Sequence, residues 1–438
     1  MTRSPRCARW ALCLPIALVA ALAGPAWGAE ALTLNRALAA ALSNNQLLVA
    51  AQATAAALGE VPARAGALPD PSLQLAAMSL PVDSLALDRE PMTQIQVGIG
   101  QVFPFPGRRA LEVDAARHAS LVAAADGREL RREVARDVTE AWWRLFYLDR
   151  ALEIVGHNQE PLHLFTDIAR TKYALGKGLQ QDVLLADVEL AKLLEMGLAL
   201  DGERAQAAAR LSRLMGWPAG QEIRLPEQVD TDLPEVPDVD HLVSLAGWTR
   251  PMLTGAVSAT EQARVELDLA RRAHLPDFMV NAAYGFRSGH EPDGSPWPDL
   301  ATVMLTFNVP IDRDGRQDRL VAQRLREFEA AQAARQAARD QVREEIATAH
   351  ATYRAARERT RLLSTGIIPL SQQTVASMRA GYQVGGVDFS NLVQAQVTLH
   401  DYETRYWELL SQAKAALGRL EAAVGEPLPS GMMGEEEQ

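Results

Sequence analysis

Helical patterns too long for an ordinary globule constrain this chain most. Residues 108–175 read as one uninterrupted stretch of 68 residues, which at 1.5 Å per residue reaches about 100 Å. A globular helix averages about 11–12 residues. Val134, Val138, Ala141, Leu145, Leu148, Leu152 and Val155 alternate spacings of four and three, the seam of a coiled coil. Val342, Ile346, Ala349, Tyr353, Ala356, Thr360 and Leu363 repeat that seam within 316–384, with smaller and more polar members. The seams alone fit a plain helical bundle.

The two seams belong to a unit written twice. Tyr173-x-x-Gly176 and the run to Ala186 align with Tyr382-x-x-Gly385 and the run to Ala395 at an offset of 209 residues. Leu68-Pro69-Asp70 aligns with Leu275-Pro276-Asp277 at 207, Pro161 with Pro369 at 208, and Pro104 with Pro310 at 206. The repeats span 29–224 and 238–424, a Pro-rich stretch 225–237 links them, and 425–438 is an acidic tail expected to lack structure. Each repeat runs in the same order. A helix (33–66 or 238–273) leads into two extended runs. A long helix (108–175 or 316–384), a Gly turn (176–178 or 385–387) and a return helix (180–216 or 388–424) follow. The two shorter helices together match the long one, so they stack end to end beside it. The result is tall and narrow, with strands at one end and Gly turns at the other.

The extended runs, 72–80, 92–103, 277–287 and 300–309, alternate apolar with small polar residues, the first less cleanly than the others. Each is close to the ~9–11 residues of a bilayer-spanning strand. Ile95, Val97, Ile99, Phe103, Tyr284, Phe286, Val303, Leu305 and Phe307 are expected to face lipid. Gln94, Gln96, Asn281, Thr306 and Asn308 are expected to face a lumen. A half-buried soluble sheet is the alternative, but its wet face would normally carry Lys and Glu, and here it carries Gln, Asn, Gly and Thr. The polar, Pro-containing connections 81–91 and 288–298 suit extracellular loops. Four strands cannot close a barrel, and lipid tolerates no open edge. Two copies would give eight strands around a filled lumen and three would give twelve around an open one; three is favoured.

The front end sets the compartment. Arg3, Arg6 and Arg9, the apolar run Ala11 to Ala23, and Ala26-Trp27-Gly28 read as a secretory signal over 1–28. The 13-residue apolar run is too short to span a bilayer. Cys7 and Cys13 both lie in the signal segment, so the mature chain is expected to hold neither thiol nor disulfide. Without its three arginines, 41 basic face 55 acidic residues. That balance and the lack of a basic tract argue against nucleic acid. The eight histidines form no H-E-x-x-H, and neither a Walker loop nor G-x-S-x-G occurs. Met78, Met92, Met279 and Met304 suit packing better than soft-metal binding. No catalytic residue, metal site or cofactor is expected.

The duplication, the runs ending in Phe103-Pro104-Phe105-Pro106-Gly107 and Val309-Pro310, and the Tyr-x-x-Gly turns resemble the TolC-like outer-membrane efflux channels over essentially the whole mature chain. Pro69-Asp70-Pro71 and Phe105-Pro106-Gly107 most resemble the branch that serves heavy-metal efflux pumps. The resemblance implies a mostly α chain with transmembrane β. It would form a homotrimer with a 12-stranded β-barrel in the outer membrane of a Gram-negative bacterium and a helical barrel across the periplasm. It further implies a passive conduit working with a periplasmic adaptor (membrane fusion) protein and an inner-membrane pump, commonly of the resistance–nodulation–division type. The closed end would lie at the tips 175–181 and 384–390, where Leu175, Gly176, Val384 and Gly385 resemble adaptor-docking positions. The family's Asp-x-x-Asp constriction falls on Asn391 and Gln394, so both carboxylates are missing there. Asp182 and Asp388 stay near the tips as further gate candidates. A carboxylate ring favours cations; Asn391 and Gln394 would hold a narrowing by hydrogen bonds. The rival readings are a secreted coiled-coil tether without channel activity and an exported enzyme, which would need acid–base clusters the sequence lacks. The sequence does not separate metal ions from drugs or solvents as cargo.

Overall fold

The computed structural model describes residues 31–218 and 220–428. The expected signal segment and the tail beyond Leu428 lie outside the described residues. Gly425 to Leu428, the start of the expected tail, is folded: Leu428 is buried in the core cluster that holds Leu242 and Val424.

Each repeat begins with two helices where one was expected. Helices α1 (Leu34–Asn44) and α2 (Gln46–Gly66) part at Asn45. The Asn45 N–H ends α1 on the Ala41 carbonyl, while its Oδ1 accepts from the Leu47 N–H at 2.9 Å and starts α2. An asparagine competes with the helix in this way because its side chain replaces a backbone partner. In the second repeat the break falls at Arg250, which Pro251 holds out of the helical region. It separates α5 (Val239–Thr249) from α6 (Pro251–Arg272).

The long helix α3 (Arg108–Ala174) is continuous, Pro161 included, and α4 (Gln180–Met215) returns alongside it. Its expected counterpart over 316–384 is interrupted. A π-helical turn at Arg313–Gln317 leads into α7 (Asp318–Leu362), and a second at Leu363–Ile367 separates α7 from α8 (Ile368–Gln383). The second turn ends two residues before Pro369, whose missing N–H and ring clash disfavour regular α-helix there. Helix α9 (Phe389–Val424) returns along α7 and α8 and also packs on α3.

The core follows the seams. Val134, Val138, Ala141, Leu145, Leu148 and Val155 are buried and Leu152 is half-buried. All seven members of the second seam are buried. Trp142 stacks on Phe146 with ring centroids 5.6 Å apart, and its Nε1–H donates to the Leu32 carbonyl at 2.9 Å. The stretch 225–237 is strapped down: Tyr353 and Arg357 donate to the carbonyls of Pro234 and Leu233.

Strands β1 (Ser72–Met78), β2 (Gln94–Phe103), β3 (Phe278–Phe286) and β4 (Leu300–Phe307) form one antiparallel sheet in the order β1-β2-β3-β4. They are slightly shorter than the alternation suggests. Pairing of β2 with β3 joins the two repeats in a single sheet, with Ile99 opposite Leu73 on one side and Ala282 on the other.

Candidate channel wall and tip

The sheet has two unlike faces. Ile95, Val97, Ile99, Phe103, Tyr284, Phe286, Val303, Leu305 and Phe307 share one face with Leu73 and Leu75, as the register requires. This face is bare: Leu73 and Leu75 are each 74% exposed and Val303 is 78% exposed. No described helix covers it, and a contiguous exposed apolar face of this kind marks a contact with lipid or protein. Gln94, Gln96, Asn281 and Thr306 occupy the opposite face with Gly98, Gly100 and Gly285. There the Gln94 and Asn281 amides lie over Gly285 and Gly100, filling the space a Cβ would take. Asn308 departs from the expectation. It falls beyond β4, and its Oδ1 accepts from the Asp277 N–H at 2.7 Å, so it caps the entry to β3.

At the helical end of the sheet, the Leu-Pro-Asp motif has a task the sequence did not disclose. Asp277 accepts from the Phe105 N–H at 2.9 Å with Oδ1 and pairs with Arg108 at 2.8 Å with Oδ2. It thereby ties the second repeat to the Phe-Pro-Gly corner of the first. Asp70, its counterpart, is exposed and has no hydrogen bond or ion pair among the described residues.

The far ends of α3 and α8 stop in the same way. Lys177 N–H donates to the Lys172 carbonyl and Gly176 N–H to that of Tyr173. Gly386 and Gly385 repeat this on Gly381 and Tyr382. Both are Schellman closures, which need a left-handed residue after the helix. Gly176 (φ +66°) and Gly385 (φ +79°) supply it. Leu175 and Val384, just before these glycines, project into solvent.

The two tips are joined. Lys172 Nζ sits 3.7 Å from the centre of the Tyr382 ring and donates to the Tyr382 carbonyl at 2.8 Å. The Tyr382 ring packs on Phe389, which starts α9. Burial raises the Tyr382 hydroxyl pKa, and the nearby Asp182 carboxylate raises it further. Asp182 occupies the first turn of α4, where a carboxylate suits the helix dipole. Asp388 is the α9 N-cap residue, exposed and without a side-chain capping bond.

Asn391 and Gln394 form an exposed polar stripe on α9, with Gln394 Nε2 donating to the Thr398 hydroxyl at 3.4 Å. The stripe lies opposite the buried Leu392 and Val393. Within one chain no side-chain hydrogen bond or ion pair connects Asp182, Asp388, Asn391 and Gln394 among the described residues; the Asn391 N–H donates to the Asp388 carbonyl as part of the helix start. Deeper in, Gln396 Nε2 donates to Asn158 Oδ1 at 2.7 Å, a buried polar link between repeats that the periodicity gave no reason to expect. Arg250 is likewise unforeseen: it is 5% exposed and pairs with Glu129 at 2.7 Å and Glu345 at 2.9 Å. Among the described residues no three His, Asp or Glu side chains converge as a metal cage would require.

The comparisons with known proteins agree with this layout. The family described as "Outer membrane efflux protein" matches residues 37–217 and 242–426, one block in each repeat. No curated protein matches the sequence. Among solved structures, the outer membrane protein VceC of Vibrio cholerae is 19% identical with a TM-score of 0.75, covering 90% of this chain and 96% of its own. CusC, whose structures report on folding and transmembrane channel formation, is 16% identical with a TM-score of 0.76, at 90% and 92% coverage. The outer membrane channel MtrE of Neisseria gonorrhoeae, solved in its open state, is 16% identical with a TM-score of 0.74, at 90% and 89% coverage.

Proposed function

We propose, for a chain that belongs to the outer membrane efflux protein family, a passive conduit built as a homotrimer and fed by an inner-membrane pump through a periplasmic adaptor. The protein resides in the outer membrane and reaches into the periplasm. One observation carries the reading. A four-stranded sheet with a bare apolar face and two unpaired edges stands at one end of helical hairpins about 100 Å long. Lipid accepts such a sheet only once its edges are closed, and three copies supply twelve strands with a lumen lined by Gln, Asn, Thr and Gly. The hairpins extend the bore away from the membrane, with the tips at its far end.

The conduit itself does no chemistry, so energy and choice of cargo belong to the pump. Leu175, Gly176, Val384 and Gly385 present two apolar, glycine-closed knuckles that suit the adaptor's docking. Narrowing at the tip falls to Asn391 and Gln394, which offer amide hydrogen bonds and no charge, with Asp182 and Asp388 as the nearest carboxylates. The test is electrical. The purified protein in a planar bilayer should conduct ions without nucleotide. Replacing both Asn391 and Gln394 by Ala should raise the open fraction. An unchanged conductance would remove the gate from these positions, and absence of any conductance would remove the conduit.

A further inference from the structure

We infer that the Pro310–Arg316 corner of one copy is a docking site for Asp70 of the next copy, which fixes the strand register between subunits. The inference rests on the homotrimeric reading and specifies its junction residue by residue. Its starting point is that the duplication is kept in the sheet's hydrogen bonding. The first hairpin pairs Ser72 with Gly100. Moving β1 forward by 207 residues and β2 by 206, the offsets of the Leu-Pro-Asp and Pro104/Pro310 matches, turns this pair into Met279 and Thr306, which are paired in the second hairpin. One rule therefore describes both hairpins.

The junction between repeats inside the chain has no such second copy. Strand β2 pairs with β3, and the corner after β2 receives Asp277. The equivalent junction would join β4 to β1, but these are the two outer edges of the sheet. Its corner parts are present and unused. Ile311 follows Pro310 as Phe105 follows Pro104, and Arg316 follows Gly315 as Arg108 follows Gly107. Ile311 is 89% exposed. Arg316 is exposed and its side chain has no hydrogen bond or ion pair among the described residues, as is true of Asp70. An acceptor on one flank thus matches a donor and a cation on the other, a complementarity only a second copy can satisfy, because both edges belong to one sheet.

The register follows from the same offsets. Gly100 opposite Asn281 becomes Thr306 of one copy opposite Gln74 of the next, and Ile99 opposite Ala282 becomes Leu305 opposite Leu75. Each pair keeps its members on one face, as the pleat demands. The helices agree with it. In the second repeat, α9 buries Leu392 and Val393 within the chain. At the same offset their α4 counterparts are Val183, half-buried on that core, and Leu184; Leu184 and, one turn on, Val188 stay exposed, where the neighbour's α7 and α8 would cover them.

The absence of cysteine from 29–438 makes the test direct. In the full chain purified from outer membranes, Gln74→Cys with Thr306→Cys should oxidise into covalently linked dimers and trimers. Met78→Cys with Thr306→Cys, displaced along the strand beyond disulfide reach, should not. Asp70→Arg should lower the yield of the linked species about fivefold, the scale of a lost ion pair, and adding Arg316→Asp should restore it. Linkage by the displaced pair, or an Asp70→Arg loss that Arg316→Asp does not repair, would overturn the inference. The mass of the unmodified assembly separates the two readings. Three chains with the wrong register reject only this junction, and a single chain rejects the conduit as well.

Discussion

The ammonium of Lys172 lies 3.7 Å above the centre of the Tyr382 ring, although 210 residues separate the two in sequence. The contact bridges the ends of the two hairpins at the point where each has just been closed by a glycine. Among the described residues it is the only cross-repeat hydrogen bond at the tips, and under the proposed gate it would act as a clamp against opening.

Lys172→Met should loosen that clamp. A cation–π contact contributes about 0.5–2 kcal/mol and the hydrogen bond to the Tyr382 carbonyl about 1 kcal/mol. Losing both shifts a closed-to-open ratio roughly tenfold or more. Single-channel recording should show longer open dwell times with the conductance of the open pore unchanged. Unaltered dwell times would show that the clamp does not hold the tip shut.

Gly385→Ala should disturb the same end locally. At φ +79° a Cβ costs about 1–2 kcal/mol. Amide hydrogen exchange should quicken for Gly385 and Gly386, the two donors that close α8, while the exchange of the β2–β3 ladder stays as it was.

Arg250→Met should destabilise the middle of the helical region, because it strands the Glu129 carboxylate among packed helices. Removing one partner of a buried pair costs about 3–5 kcal/mol. Glu129→Gln together with Arg250→Met should cost less than the two single changes summed, which denaturant unfolding followed by helical circular dichroism would measure. Strict additivity would mean that the pair is not coupled.

His400 gives the protein a pH dependence of known sign. The ring is buried with no partner for either nitrogen among the described residues. Burial pulls its pKa below the ordinary 6.5, with Asp401 opposing weakly. The unfolded chain therefore takes up this proton first as pH falls. Stability is fully present above about pH 6.5 and declines below it, by up to about 1.4 kcal/mol per pH unit for one group. His400→Leu should flatten that part of the profile between pH 7.5 and 5.5.

Much of this architecture is legible in the residues. The two seams predict which side chains are buried, because a four-and-three spacing on a helix leaves only one face for a partner. Alternation places Ile95 and Gln94 on opposite faces, since a strand has a period of two. The features that escape are those decided by single polar groups in three dimensions. Asn45 and Arg250 break helices that the apolar pattern carries straight through, one by capping with its own amide and the other because proline follows. Pro161 and Pro369 occupy matching places, yet only the second is preceded by a π-helical turn. Asn308 keeps the parity of Thr306 but caps Asp277, because β4 has already ended. Gln396 with Asn158, and Arg250 with Glu129, look like ordinary surface-helix residues until the second helix is in place.

The count of chains in the detergent-purified assembly tests the whole account most directly. Its mass, corrected for bound detergent, should correspond to three copies, with the β-structure intact and the edges β1 and β4 protected from hydrogen exchange. A single folded copy, stable in water without detergent and with its sheet formed, would contradict it.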